Sequence, residues 1–216
     1  MSSAPNQHDL LSRLRDEIRR IERRPARRRG SLPCGVAAVD ALLPGGFPCG
    51  ALSELRGGPA SGKTAVALAV VAGVARSSRG ALSAWVDGRG ELYPPAAAGL
   101  GVDLERLLIV RPPGGEEGVR LALWAAEALL GSGAFAVVAV DLPRGRSFRG
   151  ADGALRRLTT AAELGGAAGL WLSSPGATLR PPALVRLDLR TEQGRILARR
   201  GDGQAGPARA GAVHAA

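Results

Sequence analysis

The chain of 216 residues is poor in rings and nearly empty of lysine. Aromatic residues make up 3% of it although apolar residues make up 45%, so its core has to be assembled from Ala, Val and Leu rather than from rings. Cys34 and Cys49 are the only cysteines, and neither a CxxC pair nor a nearby histidine cluster is at hand to complete a metal site, so both thiols are expected to be inert. No run of about 18 apolar residues occurs, and the N-terminus has no apolar segment followed by a small-residue cleavage site. Neither a membrane span nor a signal peptide is expected, and the cytoplasm is the expected compartment. Lys63 is the sole lysine; every other basic side chain is arginine, and the formal net charge is +10. A general drift toward arginine would leave one lysine standing only where a compact ammonium on a flexible stem is needed. The positive excess favours polyanionic partners such as nucleic acid, and it serves solubility as well.

The length suits one domain with short tails, which leaves a second folded domain unexpected. Three stretches are distinguished: residues 1–30, 31–200 and 201–216. In the first, which holds nine arginines against four acids, Leu10, Leu14, Ile18 and Ile21 share one helical face and arginines cover the rest until Pro25 and the run of arginines end it. This basic amphipathic helix either packs on its own domain or docks on a partner protein or DNA. In the second, short apolar runs near 51–56, 82–87, 107–110, 136–141, 168–173, 184–190 and 195–200 read as strands. Helices are expected near 64–77, 92–99, 116–131 and 151–164. The alternation predicts an α/β fold with a mostly parallel twisted sheet flanked by helices. VRLDLR and RILARR, separated by TEQG, predict a C-terminal hairpin that gives the sheet an antiparallel edge. The Gly/Ala-rich third stretch has no apolar periodicity and is expected to be disordered.

Residues 57–64 read GGPASGKT, the full GxxxxGK[ST] pattern of a phosphate-binding loop. The loop Gly57, Gly58, Pro59, Ala60, Ser61, Gly62, Lys63 and Thr64 follows the apolar ALSELR and opens the apolar AVALAVVAGVA, the strand-to-helix context that the motif needs. Its glycines permit turns that aim amide groups at phosphate oxygens, and the helix start adds a positive dipole end. Lys63 is expected on the β and γ phosphates of ATP, and the Thr64 hydroxyl on Mg²⁺. AVVAVD ends in Asp141, a carboxylate at the C-terminal end of a buried strand, expected beside the loop's own strand and able to hold Mg²⁺ through water.

Taken together, SLPCGVAAVDALLPGGFPCGALSELRGGPASGKT, WVDGRGELYPPAAAGLGVDLERLLIVRP, FAVVAVD, GLWLSS and ALVRLDLR resemble the RecA family of P-loop NTPases over about residues 31–200. The resemblance implies an ATP and Mg²⁺ site and a role in DNA repair. Departures accompany it. Two residues after Asp87, where the recombinases of the family carry the glutamate that activates water, this chain has Arg89, which cannot serve as a base. Glu91 is the nearest candidate in its place. Ser174 stands where they have a glutamine that senses the γ phosphate, and the loop SPGATLRPP is short beside their DNA-contacting loop. A small RecA-like chain of this kind resembles the ImuA (SulA-like) accessory proteins of bacterial translesion synthesis. That likeness implies a partnership with RecA or a Y-family polymerase-like protein in the damage response.

After Asp141, Arg144, Arg146 and Arg149 recur with Phe148 among them. The arginines can neutralise phosphates and the ring can stack on a base, as in single-strand binding, and the resemblance puts a DNA loop here; an ordinary basic surface loop has the same composition. Three readings follow: an accessory ATP-binding factor, a DNA-dependent ATPase and recombinase paralogue, and a nucleotide-binding regulator of unrelated purpose. A homo-oligomer is compatible with each.

Overall fold

The computed structural model describes residues 30–43, 45–77, 80–145, 148–201 and 211–214. The N-terminal basic helix expected before residue 30 lies outside them, as does Arg146. In chain order the elements are β1 (Ser31–Leu32), α1 (Ala37–Leu42), β2 (Phe47–Pro48), β3 (Ala51–Arg56), α2 (Lys63–Ser77), β4 (Leu82–Asp87) and α3 (Pro94–Gly99). A single 3₁₀ turn (Leu104–Arg106) leads to β5 (Leu107–Val110), α4 (Gly115–Gly131), β6 (Phe135–Asp141), α5 (Ala151–Gly165), β7 (Ala168–Ser173), β8 (Val185–Glu192), β9 (Arg195–Arg200) and β10 (Gly211–His214).

Eight strands form the main sheet in the order β10-β9-β8-β3-β7-β6-β4-β5, parallel from β8 through β5, with β9 antiparallel to both of its neighbours. The central strands read as continuous apolar runs because helices cover both faces. All six residues of β7 are buried, whereas β8 alternates buried and half-buried positions, as a strand near the sheet's edge does. On one face α1 and α2 pack with Leu55, Trp85, Leu170 and Leu187. The A/V-rich α2 is apolar nearly all round, and Val66, Ala67, Val70, Val71 and Val74 are all buried. On the other face α4 presents Val119, Ala122, Leu123, Ala126 and Leu130, and α5 presents Ala154, Leu155, Leu158 and Ala162. A side chain at Gly165 would collide with the carbonyl of Leu130, so glycine is what lets these two helices approach so closely.

The α/β architecture and the C-terminal hairpin are as the sequence predicts. The hairpin turns through Gln193 and Gly194, at φ of 49° and 73°, a two-residue loop whose positive dihedrals match the right-handed twist of its strands. Other features differ. The helix expected from residue 92 starts at Pro94, because Asp87 ties down the amides of Glu91 and Leu92. The β1–β2 ribbon and α1 lack a periodic signal of their own; Asp40 accepts bonds from the amides of Cys34 and Gly35 there. The sequence predicts disorder throughout 201–216, yet Gly211–His214 pairs antiparallel with β9. The exposed ladder of β9 recruits backbone groups regardless of side-chain pattern. Burial pushes the Cys34 thiol up to about 12, consistent with an inert cysteine.

Candidate functional site

The loop from Gly57 to Gly62 leaves β3 and enters α2 at Lys63. Its shape is set from behind. The Gly57 amide donates to the carbonyl of Ser173 on β7 at 3.1 Å, and a Cβ at Gly57 would meet the Leu189 carbonyl of β8 at 2.7 Å. Gly62 sits at φ +84°, where a Cβ would come within 2.5 Å of Ile196 on β9. Ala60, at φ 55°, holds a left-handed conformation that costs a non-glycine residue about 1 kcal/mol or more. Pro59 and Ala60 are exposed at the tip, with Gly58 half-buried beside them. Lys63 is 8% exposed, and its ammonium donates to the Gly58 carbonyl at 3.2 Å. Burial lowers its pKa while Asp141 pulls the other way. The first α2 bond runs from the Val66 amide to the Gly62 carbonyl, so the amides before it face the loop's mouth, a concentration of donors and positive dipole suited to phosphate oxygens. Thr64 is exposed in that first turn.

Asp141 ends β6, but β6 is not the strand beside the loop's own. β7 intervenes between β3 and β6, and the neighbour that β6 does have on its other side is β4. The expectation of adjacency fails because β3, the first strand of the parallel set, is flanked by the late strands β7 and β8. Asp141 nonetheless shares the field of Lys63. Burial pushes its carboxyl up to about 6, against the opposing pull of Arg89 and Lys63. Ser174, just past β7, is buried, and its carbonyl accepts from the Ala177 amide at 3.0 Å. The short loop after it is folded down: Leu179 is buried and the Pro181 carbonyl accepts from Arg186 at 3.2 Å.

Beside Asp141 lies the loop after β4, organised by a fully buried carboxylate. Asp87 pairs in register with Asp141 across β4 and β6. It accepts from the Glu91 amide at 3.1 Å, the Leu92 amide at 3.1 Å and Arg111 Nε at 3.0 Å. The Gly88 amide donates to the Asp141 carbonyl at 2.9 Å. On this pinned backbone Arg89 reaches Glu91 Oε2 at 2.6 Å, and its Nε lies 4.0 Å from Asp141 Oδ1. Glu91 is therefore brought to the site, but as the partner of Arg89.

A second buried carboxylate lies under the phosphate loop. Glu54 of β3 is 3% exposed and accepts from Ser173 Oγ at 2.8 Å and Arg186 Nε at 3.0 Å. It floors a cavity of about 360 Å³ whose lining includes Arg56, Gly57, Ser174, Arg180 and Asp188. Neither hub stands out in the amino-acid sequence. A signal for Glu54 exists, since an acid inside an apolar strand requires a partner, but the partner is Arg186, 132 positions away.

In the arginine loop, Arg144 and Arg149 are exposed and have no ion-pair partner among the described residues. Phe148 is half-buried against the α4–α5 core, with the Arg120 guanidinium 4.3 Å from its ring centre. A base stacking on that face would have to displace Arg120. Among the described residues no group of three or more acidic, histidine or cysteine side chains could hold a metal by itself, and no helix is long and apolar enough to cross a membrane.

Known proteins share sequence with this chain. A family model described as the RecA N-terminal domain matches residues 15–144. Protein RecA of Lactobacillus delbrueckii subsp. bulgaricus is 41% identical over 112 residues, which cover 51% of this chain and 32% of that protein. Protein RecA of Limosilactobacillus reuteri is 43% identical over 112 residues, 51% of this chain and 29% of its own. For Protein RecA of Picosynechococcus the figures are 38% over 111 residues, 51% and 30%. The matched stretch thus spans about a third of the length of these curated relatives.

Proposed function

Since this chain belongs to the RecA N-terminal domain family, we propose that it binds ATP with Mg²⁺ and acts as a RecA-like accessory factor of the bacterial DNA damage response. In this reading it is an ImuA-like protein of error-prone translesion synthesis. It modulates RecA or a Y-family polymerase-like partner in the cytoplasm and contacts DNA, single-stranded for preference, through Arg144, Arg149 and their loop. The observation that carries the proposal is the ion pair of Arg89 with Glu91 beside a complete GxxxxGK[ST] loop, Arg89 standing where the resemblance implies the water-activating carboxylate.

The residues present fit ATP. Gly57 and Gly62 let the loop turn closely against β8 and β9, Gly58 faces open space, Lys63 supplies an ammonium at the mouth, and the start of α2 supplies amide donors. The residues that would hold Mg²⁺ are Thr64, through its exposed hydroxyl, and Asp141, through its carboxylate, both oxygen donors of the kind the ion takes. When bound, the ion would supply charge neutralisation between the β and γ phosphates. This chain's own residues orient the phosphates through the loop amides and hold the triphosphate through Lys63. Among the described residues, the two carboxylates nearest the loop's mouth, Glu91 and Asp141, are both within ion-pair distance of Arg89, which opposes their taking the proton of an attacking water. Binding thereby becomes a switch or a structural ligand, and turnover is incidental.

Similarity to proteins named RecA at about 40% identity favours a second reading, a DNA-dependent ATPase and recombinase paralogue. Steady-state hydrolysis with and without single-stranded DNA separates the two. The accessory reading expects turnover far below roughly 1 per second, and a wild type that reaches that ordinary rate overturns it. Arg89→Glu, which restores the acid, is expected to raise turnover at least about tenfold, worth about 1.4 kcal/mol of barrier.

A further inference from the structure

Arg89 does more than replace an acid. It brings a permanent positive charge to the place where a divalent ion would be held. Its side chain is 22% exposed, with Nε 4.0 Å from Asp141 Oδ1 and Nη2 at 2.8 and 2.6 Å from the two Glu91 oxygens. The backbone beneath it is fixed on both sides, by the Gly88 amide on the Asp141 carbonyl and by the Glu91 and Leu92 amides on Asp87. Only its side-chain torsions remain free to move it. Asp141, Arg89, Arg144 and Glu91 all act electrostatically on Lys63. Lys63 therefore sits in the field of two further cations and two carboxylates before any ligand arrives.

In a P-loop site of ordinary charge, the strand-end carboxylate is available to hold the shell of Mg²⁺, whose two charges offset the triphosphate. Here a guanidinium already shares that carboxylate. It cannot lose its proton, and its planar fork of donors suits phosphate oxygens as well as carboxylate. Its weaker hydration lowers the cost of working in a half-buried site. Charge contributed by a side chain whose backbone is pinned also costs less ordering than capture of a hydrated ion.

Resting on the nucleotide reading above, we propose that Arg89 supplies from within the chain the charge that Mg²⁺ would bring, so that nucleoside triphosphate binding is largely independent of divalent ions. Arg89 neutralises Asp141 and leaves Lys63 and Arg144 to face the phosphates. Mg²⁺ remains able to bind through Thr64 and Asp141, but it competes with the guanidinium there and adds little affinity.

Equilibrium titration with a fluorescent ATP analogue, in excess Mg²⁺ and in excess EDTA, tests this by binding alone. For the wild type, a weakening in EDTA of less than about fivefold supports the proposal and a larger one overturns it. In Arg89→Gln, the EDTA-to-Mg²⁺ ratio of dissociation constants is expected to rise at least about fivefold above the wild-type ratio, and a smaller rise overturns the proposal. Arg89→Lys keeps the charge and provides a second variant: its ratio should stay nearer to wild type than to Arg89→Gln, and the opposite ranking counts against the proposal. Binding that requires Mg²⁺ sinks this inference and leaves the ATP site standing, whereas no binding in either buffer removes both.

Discussion

Two loops at the same end of the sheet, the phosphate cradle after β3 and the segment after β4, each rest on a buried carboxylate held by an arginine. Under the cradle, Glu54 is 4% exposed in its side chain and depends on Arg186 and one hydroxyl, that of Ser173. Under the second loop, Asp87 is 0% exposed in its side chain and has Arg111 together with two backbone amides. The supports are alike while the side chains they display are opposite in character. The loop after β3 displays Lys63 and the amides at the start of α2; the segment after β4 is pinned as well and displays Arg89. Positioning and chemistry are thus separable in this fold: similar buried supports carry loops that display different side chains.

The sharpest way to break the comparison is to remove the two arginines. Arg186→Ala leaves Glu54 buried without a cation and is expected to destabilise by roughly 3–5 kcal/mol. Arg111→Ala leaves Asp87 with two amide donors and should cost about 1.5–3 kcal/mol. Urea unfolding of both variants checks the ranking, and equal losses would show that the amides do not compensate. Next in size, Lys63→Ala should weaken ATP binding by about 1.5–3 kcal/mol, more than tenfold, with its melting temperature little changed. Calorimetric titration reads this, and unchanged affinity would mean that the cradle does not hold the triphosphate. Arg144→Ala with Arg149→Ala is expected to flatten the slope of log K for single-stranded DNA against log salt by up to about 0.7 for each phosphate no longer neutralised, and an unchanged slope makes the arginine loop ordinary surface. Smallest is Gln193→Gly in the hairpin turn. Gln193 sits at φ 49°, so glycine should stabilise by about 0.5–1 kcal/mol through relief of left-handed strain, offset in part by unfolded-chain entropy. The chemical-denaturation midpoint measures it.

Much of the architecture is legible in the chain itself. Strands β3 to β9 and the three long helices α2, α4 and α5 follow from apolar runs and glycine breaks, and the cradle follows from a motif that carries its own structural context. What stays hidden has a common cause. The pairs Glu54–Arg186 and Asp87–Arg111 join residues 132 and 24 positions apart, and in a chain so rich in arginine nothing local marks which one is the partner. The insertion of β7 between β3 and β6 is likewise a property of topology, since a strand's neighbours are not written in its own residues. Phe148 illustrates a third limit: a lone ring in a basic loop suggests a platform for bases, and only the fold reveals Arg120 over it.

The contact between Gly62 and Ile196 bears on how short this protein could be made. The turn at Gly62 has its back against a side chain of β9, and Gly57 has its back against the Leu189 carbonyl of β8. A version of the chain cut after β7 would retain every residue of the GxxxxGK[ST] motif and yet lose the wall on which the motif is moulded. The smallest unit that keeps this loop in shape consequently extends through the C-terminal hairpin, and anyone grafting the loop onto another scaffold has to carry that wall with it.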